Sequence, residues 1–438
     1  MQPEIAEKSP DIAAASADRR RGFKATAASI AGFTLDFYDL YVVVFVAPVI
    51  ASAFFPADQR TLSLAGAYAT LAVTLVMRPI GAAVLGAVAD RHGRRRAMVI
   101  GLAGVGLVTA SMGALPTAAQ AGVLAPILLL TLRMAQGLFV GGVFASTLTL
   151  GAESVSPRWR GVVSGLVGGG GTAAGSVLAS LALVASTRVF EGDAFSVWGW
   201  RVMFFAGALP VLLSLIVARY VDESPLWRPQ RADRRPLREL WTPPNRRALL
   251  QNVAVVFGVG THFLLTLGFL PTYLQEVNGL SAAQVGPLLV AVNLAAILFA
   301  PLAGHWSQRA GRRAVLLTMA AVNVVVLPLA YWWLSALGPG SLPLIAVGAL
   351  VVSCLTVACF GPLPIFLAER FTTPVRGSGT ALSINLGFAL AGLVPAAVNA
   401  LSSDVGALTG YVVTGLVLAG VVAVTVLSRI PEPTRSLD

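Results

Sequence analysis

The chain has 438 residues, 56% of them hydrophobic and only 12% charged, where a soluble domain carries about 25% charged residues. Mean hydropathy is +0.79, and apolar stretches of bilayer length, roughly 20 residues each, fill most of the chain, which excludes a soluble globular protein. The net charge of +11 does not point to nucleic acid, because Lys and Arg gather in short clusters in alternate gaps between apolar runs, a topology pattern and not a binding stripe.

The first 24 residues mix acidic and basic side chains. The apolar run behind them is too long for a signal-peptide core and lacks an evident cleavage site, so residues 1–24 read as a short, mobile cytoplasmic tail before a retained helix. Twelve spans follow, at about 25–54, 62–88, 97–115, 122–151, 161–187, 199–219, 247–274, 282–304, 314–337, 342–368, 378–400 and 407–428. An even number puts both termini on one side. Basic residues crowd the tails and the even-numbered gaps, whereas the odd gaps hold Arg60 and Arg188, with Arg201 just inside span 6. Both termini are therefore expected in the cytoplasm. Residues 25–219 form one six-helix half, 220–246 an Arg- and Pro-rich cytoplasmic linker, 247–428 the second half and 429–438 a cytoplasmic tail. The expected fold is an all-α membrane protein with twelve transmembrane helices in two pseudo-symmetric six-helix halves.

Span 1 carries Asp36 and Asp39 at membrane depth, with Tyr38 between them and Tyr41 beyond. Ionisable groups there are costly and mark functional sites. At about 1.5 Å per residue, Asp36 lies roughly 18 Å from the cytoplasmic end of its helix and Arg78 of span 2 about 15 Å from the same side, so the two can face each other. Asp39 and Arg133 of span 4 lie deeper, and Asp36 and Asp39 share a helix face. A carboxyl group held out of water can take up and release a proton when a neighbouring charge changes. Arginine stays charged and offers a planar fork suited to a carboxylate. The reading is Asp36 and Asp39 as proton carriers, Arg78 and Arg133 as anion-binding groups, and Arg133 as the freer of the two. The alternative is that the four charges only tie helices together.

Between spans 2 and 3 runs Gly86-Ala-Val-Ala-Asp90-Arg91-His-Gly93-Arg94-Arg95. Asp90 can cap a helix or pair with arginines, and Gly86 and Gly93 permit a tight crossing and a turn. Such contacts exist only while the cytoplasmic side is closed, so the loop reads as a latch. Spans 4 and 5 repeat glycines at four-residue spacing (137 and 141, 165 and 169, 171 and 175), a signature of close helix packing. The run Gly168 to Gly171 also permits bending. Gln136 in span 4, His262 in span 7, Asn293 in span 8 and Asn385 in span 11 are further polar groups within spans and candidate substrate contacts, as is Tyr38. For each the plainer reading is a satisfied helix–helix hydrogen bond. Cys354 and Cys359 point apart on one helix and show no metal-ligand spacing, so no metal or cofactor is expected.

The latch recurs as Gly304-His-Trp-Ser-Gln308-Arg309-Ala-Gly311-Arg312-Arg313, and Glu153 with Arg160 is echoed by Glu369 with Arg376. Duplicated charged loops imply homologous halves around a midplane site, the architecture of a secondary transporter.

At these residues the chain resembles the major facilitator superfamily, and within it the metabolite:proton symporter family. The matching segments are Gly32-Phe-Thr-Leu-Asp36-Phe-Tyr38-Asp39, Arg78-Pro79-Ile-Gly81, Arg133-Met-Ala-Gln136-Gly137 with Gly141-Gly142, Trp198-Gly-Trp-Arg201 and Asp222-Glu-Ser-Pro225. The resemblance implies proton-coupled uptake of a small carboxylate or zwitterion by alternating access. Three departures stand out: Val143 replaces the family's glutamate after the glycine pair, Gln308 replaces an aspartate, and the family's Asn-x-x-Glu-Trp-Tyr-Asp reads Phe33-Thr-Leu-Asp36-Phe37-Tyr38-Asp39. The runner-up is an exporter of the same fold. A glycine–proline pair in span 5 would favour it, and span 5 has no proline. A membrane receptor or enzyme is remote, since no nucleophile or metal constellation and no soluble domain is evident. The expected partners are a small-molecule substrate, protons and the lipid bilayer, with no nucleic acid, and the expected state is a monomer.

Overall fold

The computed structural model describes residues 10–56, 60–192, 194–223, 236–243, 245–372, 375–401 and 405–432, apart from some side chains within helices, that of Asp90 among them. Among the described residues, twelve helices are long and apolar enough to cross a membrane: α1 (Arg20–Phe45), α2 (Ala69–Ala89), α3 (Arg94–Gly113), α4 (Leu124–Val143), α5 (Pro157–Val189), α6 (Phe195–Tyr220), α7 (Asn245–Gly268), α8 (Gln284–Ala310), α9 (Arg312–Ser335), α10 (Pro339–Glu369), α11 (Arg376–Pro395) and α12 (Ala407–Ser428). No strand occurs among the described residues. All twelve expected spans are present.

Their ends differ where local chemistry intervenes. The first helix begins at Pro10, well inside the expected tail, because the alanine-rich stretch before the arginines is strongly helix-forming. It stops at Phe45, and a separate short helix, Ala47–Phe54, follows with a proline in its first turn. About half of the expected linker, including 224–235, lies outside the described residues. Its short helix Pro236–Leu240 buries Leu240 in one cluster with Phe371 and Val375.

Glycines set how closely the helices approach. A Cβ on Gly137 or Gly141 of α4 would run into the carbonyls of Thr74 and Arg78 on α2. Across the halves, Gly161 of α5 and Gly304 of α8 meet backbone to backbone, and Gly86 of α2 lies against Ser378 of α11. The expected bending run of α5 takes a π turn over Leu166–Gly170. Within it, Gly169 packs on Ala300 and Val357 of the second half. Both close crossings place the two duplicated loops on the same face of the bundle, here called the latch face.

At the centre, aromatic rings join the halves. Phe37 of α1 meets Phe263 of α7 edge-on at 5.7 Å, and Phe263 meets Phe360 of α10 at 5.3 Å and Phe388 of α11 at 5.9 Å.

Candidate functional site

Beside these rings lie the four intramembrane charges, all buried, in two pairs. Arg133 Nη1 is 3.9 Å from Asp39 Oδ2, and Arg78 Nη2 is 3.9 Å from Asp36 Oδ1. The surroundings of the pairs differ. Asp39 Oδ1 accepts from Thr109 Oγ1 of α3 at 3.0 Å, and Oδ2 from Gln136 Nε2 at 2.6 Å. Arg133 donates to Gln136 Oε1 at 2.7 Å and lies 5.7 Å from the Phe204 ring centroid. Around Asp36, by contrast, neither carboxylate oxygen accepts a hydrogen bond among the described residues, where the Nε of Arg78 and that of Arg133 are alike without one. The facing of Asp36 and Arg78 expected from depth is present. Arg133 is not the freer arginine, because Asp39 and Gln136 both engage it.

The other polar candidates divide into two groups. Tyr38 donates to the Met203 carbonyl of α6 at 2.8 Å, and His262 Nε2 donates to the Leu416 carbonyl of α12 at 2.9 Å. Each ties helices within its own half. Asn293 reaches across to Ser176 of α5 at 3.1 Å, and Asn385 lies 3.5 Å from the Gly141 carbonyl of α4. These two amides stand at the seam between halves. Val143, in place of the family's glutamate, is buried where a Cβ on Gly101 of α3 would strike it. A carboxylate there would lose its apolar packing on α3. Thr109, Ser176 and Phe204 escaped sequence reading because a threonine, a serine or a phenylalanine in an apolar run is ordinary.

On the latch face, Gly93 (φ 107°) and Gly311 (φ 94°) make the turns into α3 and α9 in the left-handed region that favours glycine. Arg94 pairs with Glu153 at 3.7 Å and Arg312 with Glu369 at 3.5 Å. Buried Arg160 lies in the first turn of α5 and buried Arg376 starts α11, and Arg376 feels Glu153, Arg94, Arg160 and Glu369. Gln308 donates to the Pro157 carbonyl at 3.1 Å and Ser164 to the Gly361 carbonyl at 3.0 Å, both across the halves. Arg91 and Arg309 are exposed. Arg95 donates to the Ala218 carbonyl at the end of α6 and Arg313 to Leu427 and Ser428 at the end of α12. Just past α10, Arg370 bonds Asn252 at 2.5 Å, and burial with Arg247 nearby pushes its guanidinium down to about 10.

The family model described as Major Facilitator Superfamily matches residues 29–394. The chain belongs to this superfamily. It is 29% identical over 390 residues to the alpha-ketoglutarate permease of Escherichia coli K12, covering 86% of each chain. It is 30% identical over 373 residues to the citrate-proton symporter of Salmonella typhi, covering 84% of this chain and 85% of that one. To the proline/betaine transporter of Salmonella typhimurium it is 28% identical over 386 residues, covering 85% and 76%. The proton:xylose symporter XylE, bound to 6-bromo-6-deoxy-D-glucose, superposes with a TM-score of 0.78 at 17% identity, over 95% of this chain and 97% of that one. The chain is thus a multi-pass membrane protein of the major facilitator fold, two six-helix halves included.

Proposed function

We propose that the chain is a proton-coupled symporter that imports a small carboxylate or zwitterionic metabolite across the bacterial inner membrane by alternating access. One observation carries this reading: two charge-balanced Asp–Arg pairs buried in the first half, beside the aromatic contact to the second half. Buried acids suit proton exchange, and buried guanidiniums suit a carboxylate. The relatives' cargo, alpha-ketoglutarate, citrate, proline and betaine, is of this chemical kind. Transport, not catalysis, is the activity, with the membrane, a small solute and protons as partners of a monomer.

In this reading coupling and cargo binding lie in the Asp36–Arg78 and Asp39–Arg133 pairs with Gln136, and Asn293 and Asn385 meet the cargo at the seam. Tyr38 and His262 shape the site by holding their helices. The latch comprises Gly86, Asp90, Arg91, Gly93, Arg94, Arg95, Glu153 and Arg160, and in the second half Gly304, Arg309, Gly311, Arg312, Glu369 and Arg376. The latch face is cytoplasmic, both termini lie on it, and residues 220–246 link the halves there. The close crossings on that face fit an outward-facing or occluded arrangement. The test is uptake of labelled proline, glycine betaine, 2-oxoglutarate and citrate into proteoliposomes under an inward proton gradient. At least one should accumulate and be released by a protonophore. Accumulation only against an opposite gradient would favour the exporter.

A further inference from the structure

The two aspartates of α1 are equally far from a guanidinium, 3.9 Å each, yet among the described residues only Asp39 accepts hydrogen bonds. An ionised carboxylate in a low-dielectric interior is costly unless paired and hydrogen-bonded. Asp39 is supported at both oxygens, by Thr109 and Gln136. Asp36 is 2% exposed and accepts nothing among the described residues. The charges acting on Asp36 are Arg78 from α2 and Asp39 one turn along its own helix. Arg133 on α4 faces Asp39. α5, packed along α1, carries its charges only near its ends, at Arg158, Arg160 and Arg188.

We propose that Asp36, and not Asp39, carries the coupling proton, and that its protonation releases Arg78 to hold one carboxylate group of the cargo. The proton adds to an Asp36 oxygen, the Asp36–Arg78 pair loses its anion, and the cargo's carboxylate takes that place. Asp39 stays ionised on Arg133. This rests on the symporter reading and deepens it by setting the cargo's charge. Two buried cations face two buried anions, so one proton frees one cation. A monocarboxylate is matched, and a zwitterion adds a cation that aromatic rings such as Phe37 and Phe263 can meet. A dicarboxylate would bring a second anion with no cation to meet it. The place suits coupling between the halves: Gly141 packs on the Arg78 backbone, and its carbonyl is the one Asn385 reaches from the second half.

The experiment has two arms. In the first, which needs no cargo, infrared difference spectra of reconstituted protein are recorded on acidification. The buried protonated-carboxyl band should appear in the parent, vanish in Asp36→Asn, and persist in the double variant Asp39→Asn with Arg133→Gln, which removes that pair together. A band that survives Asp36→Asn and disappears in the double variant overturns the proposal. In the second arm, binding of labelled glycine betaine and 2-oxoglutarate is measured against pH. The parent should bind glycine betaine up to about tenfold tighter per unit of acidification, Asp36→Asn should bind it with no pH dependence, and 2-oxoglutarate should bind more weakly. Unchanged pH dependence in Asp36→Asn, or preference for 2-oxoglutarate, contradicts it. A parent that accumulates no solute under a proton gradient would remove the symporter reading, while the infrared arm would still decide which aspartate takes the proton.

Discussion

Glu223 holds the first turn of α3, and Glu432 does the same for α9. Glu223 accepts from the backbone N–H of Arg94 at 2.8 Å and of Arg95 at 3.2 Å, and Glu432 from that of Arg313 at 3.1 Å. Each glutamate lies just past the last helix of its half. In return Arg95 and Arg313 bond the final carbonyls of that last helix, α6 or α12. Carboxylates at helix starts and guanidiniums at helix ends both suit the helix dipole. The device closes each half on itself and occurs once per half.

Loss of a cap costs about 1 kcal/mol. Glu223→Gln and Glu432→Gln should both lower the thermal midpoint in detergent. The effect should be larger at Glu223, which is partly buried and bonds two main-chain donors, than at exposed Glu432. Thermal unfolding of the two variants side by side checks this, and a larger fall at Glu432 would speak against it.

Asp39 and Arg133 should behave as a unit. Removing one partner of a buried pair costs about 3–5 kcal/mol because the other charge is stranded. Asp39→Asn should therefore destabilise strongly, and adding Arg133→Gln should restore much of the loss. Thermal stability of the single and double variants measures the coupling. Additive losses would show that the two side chains act independently.

The expected spans, the doubled loops and the facing of Asp36 with Arg78 were legible because each rests on helix rise, hydropathy or repetition along the chain. The engagement of Arg133 was not, since it depends on which way Thr109 and Gln136 turn once three helices pack. Glu223 and Glu432 were hidden for a similar reason. Each is an ordinary acidic residue after a span until the chain returns and sets it against Gly93 or Gly311. The break after Phe45 was masked by an apolar run that continues through it.

Closure of the latch face depends on glycine at its tightest crossing. A Cβ on Gly304 would strike the Gly161 carbonyl. Gly304→Val should push α5 and α8 apart there and shift the population toward an opening on this side. Spin labels at exposed positions 158 and 309 should move to longer distances in the variant. An unchanged distance distribution would contradict a gating role for this contact.

Topology follows from the basic clusters. Alkaline phosphatase fused after residue 428 should be inactive, whereas fusion in the loop after α5 at residue 192 should be active. The reverse pattern would place the latch face outside the cell.

The direction in which protons move with the cargo tests the central claim. Proteoliposomes containing a pH-sensitive dye should be loaded with no gradient and given an external pulse of a solute that the uptake panel identifies. Symport predicts that the lumen acidifies as the solute enters, whichever way each molecule is inserted, and that Asp36→Asn abolishes the signal. Alkalinisation of the lumen on solute entry, or entry with no proton movement, would contradict proton-coupled symport.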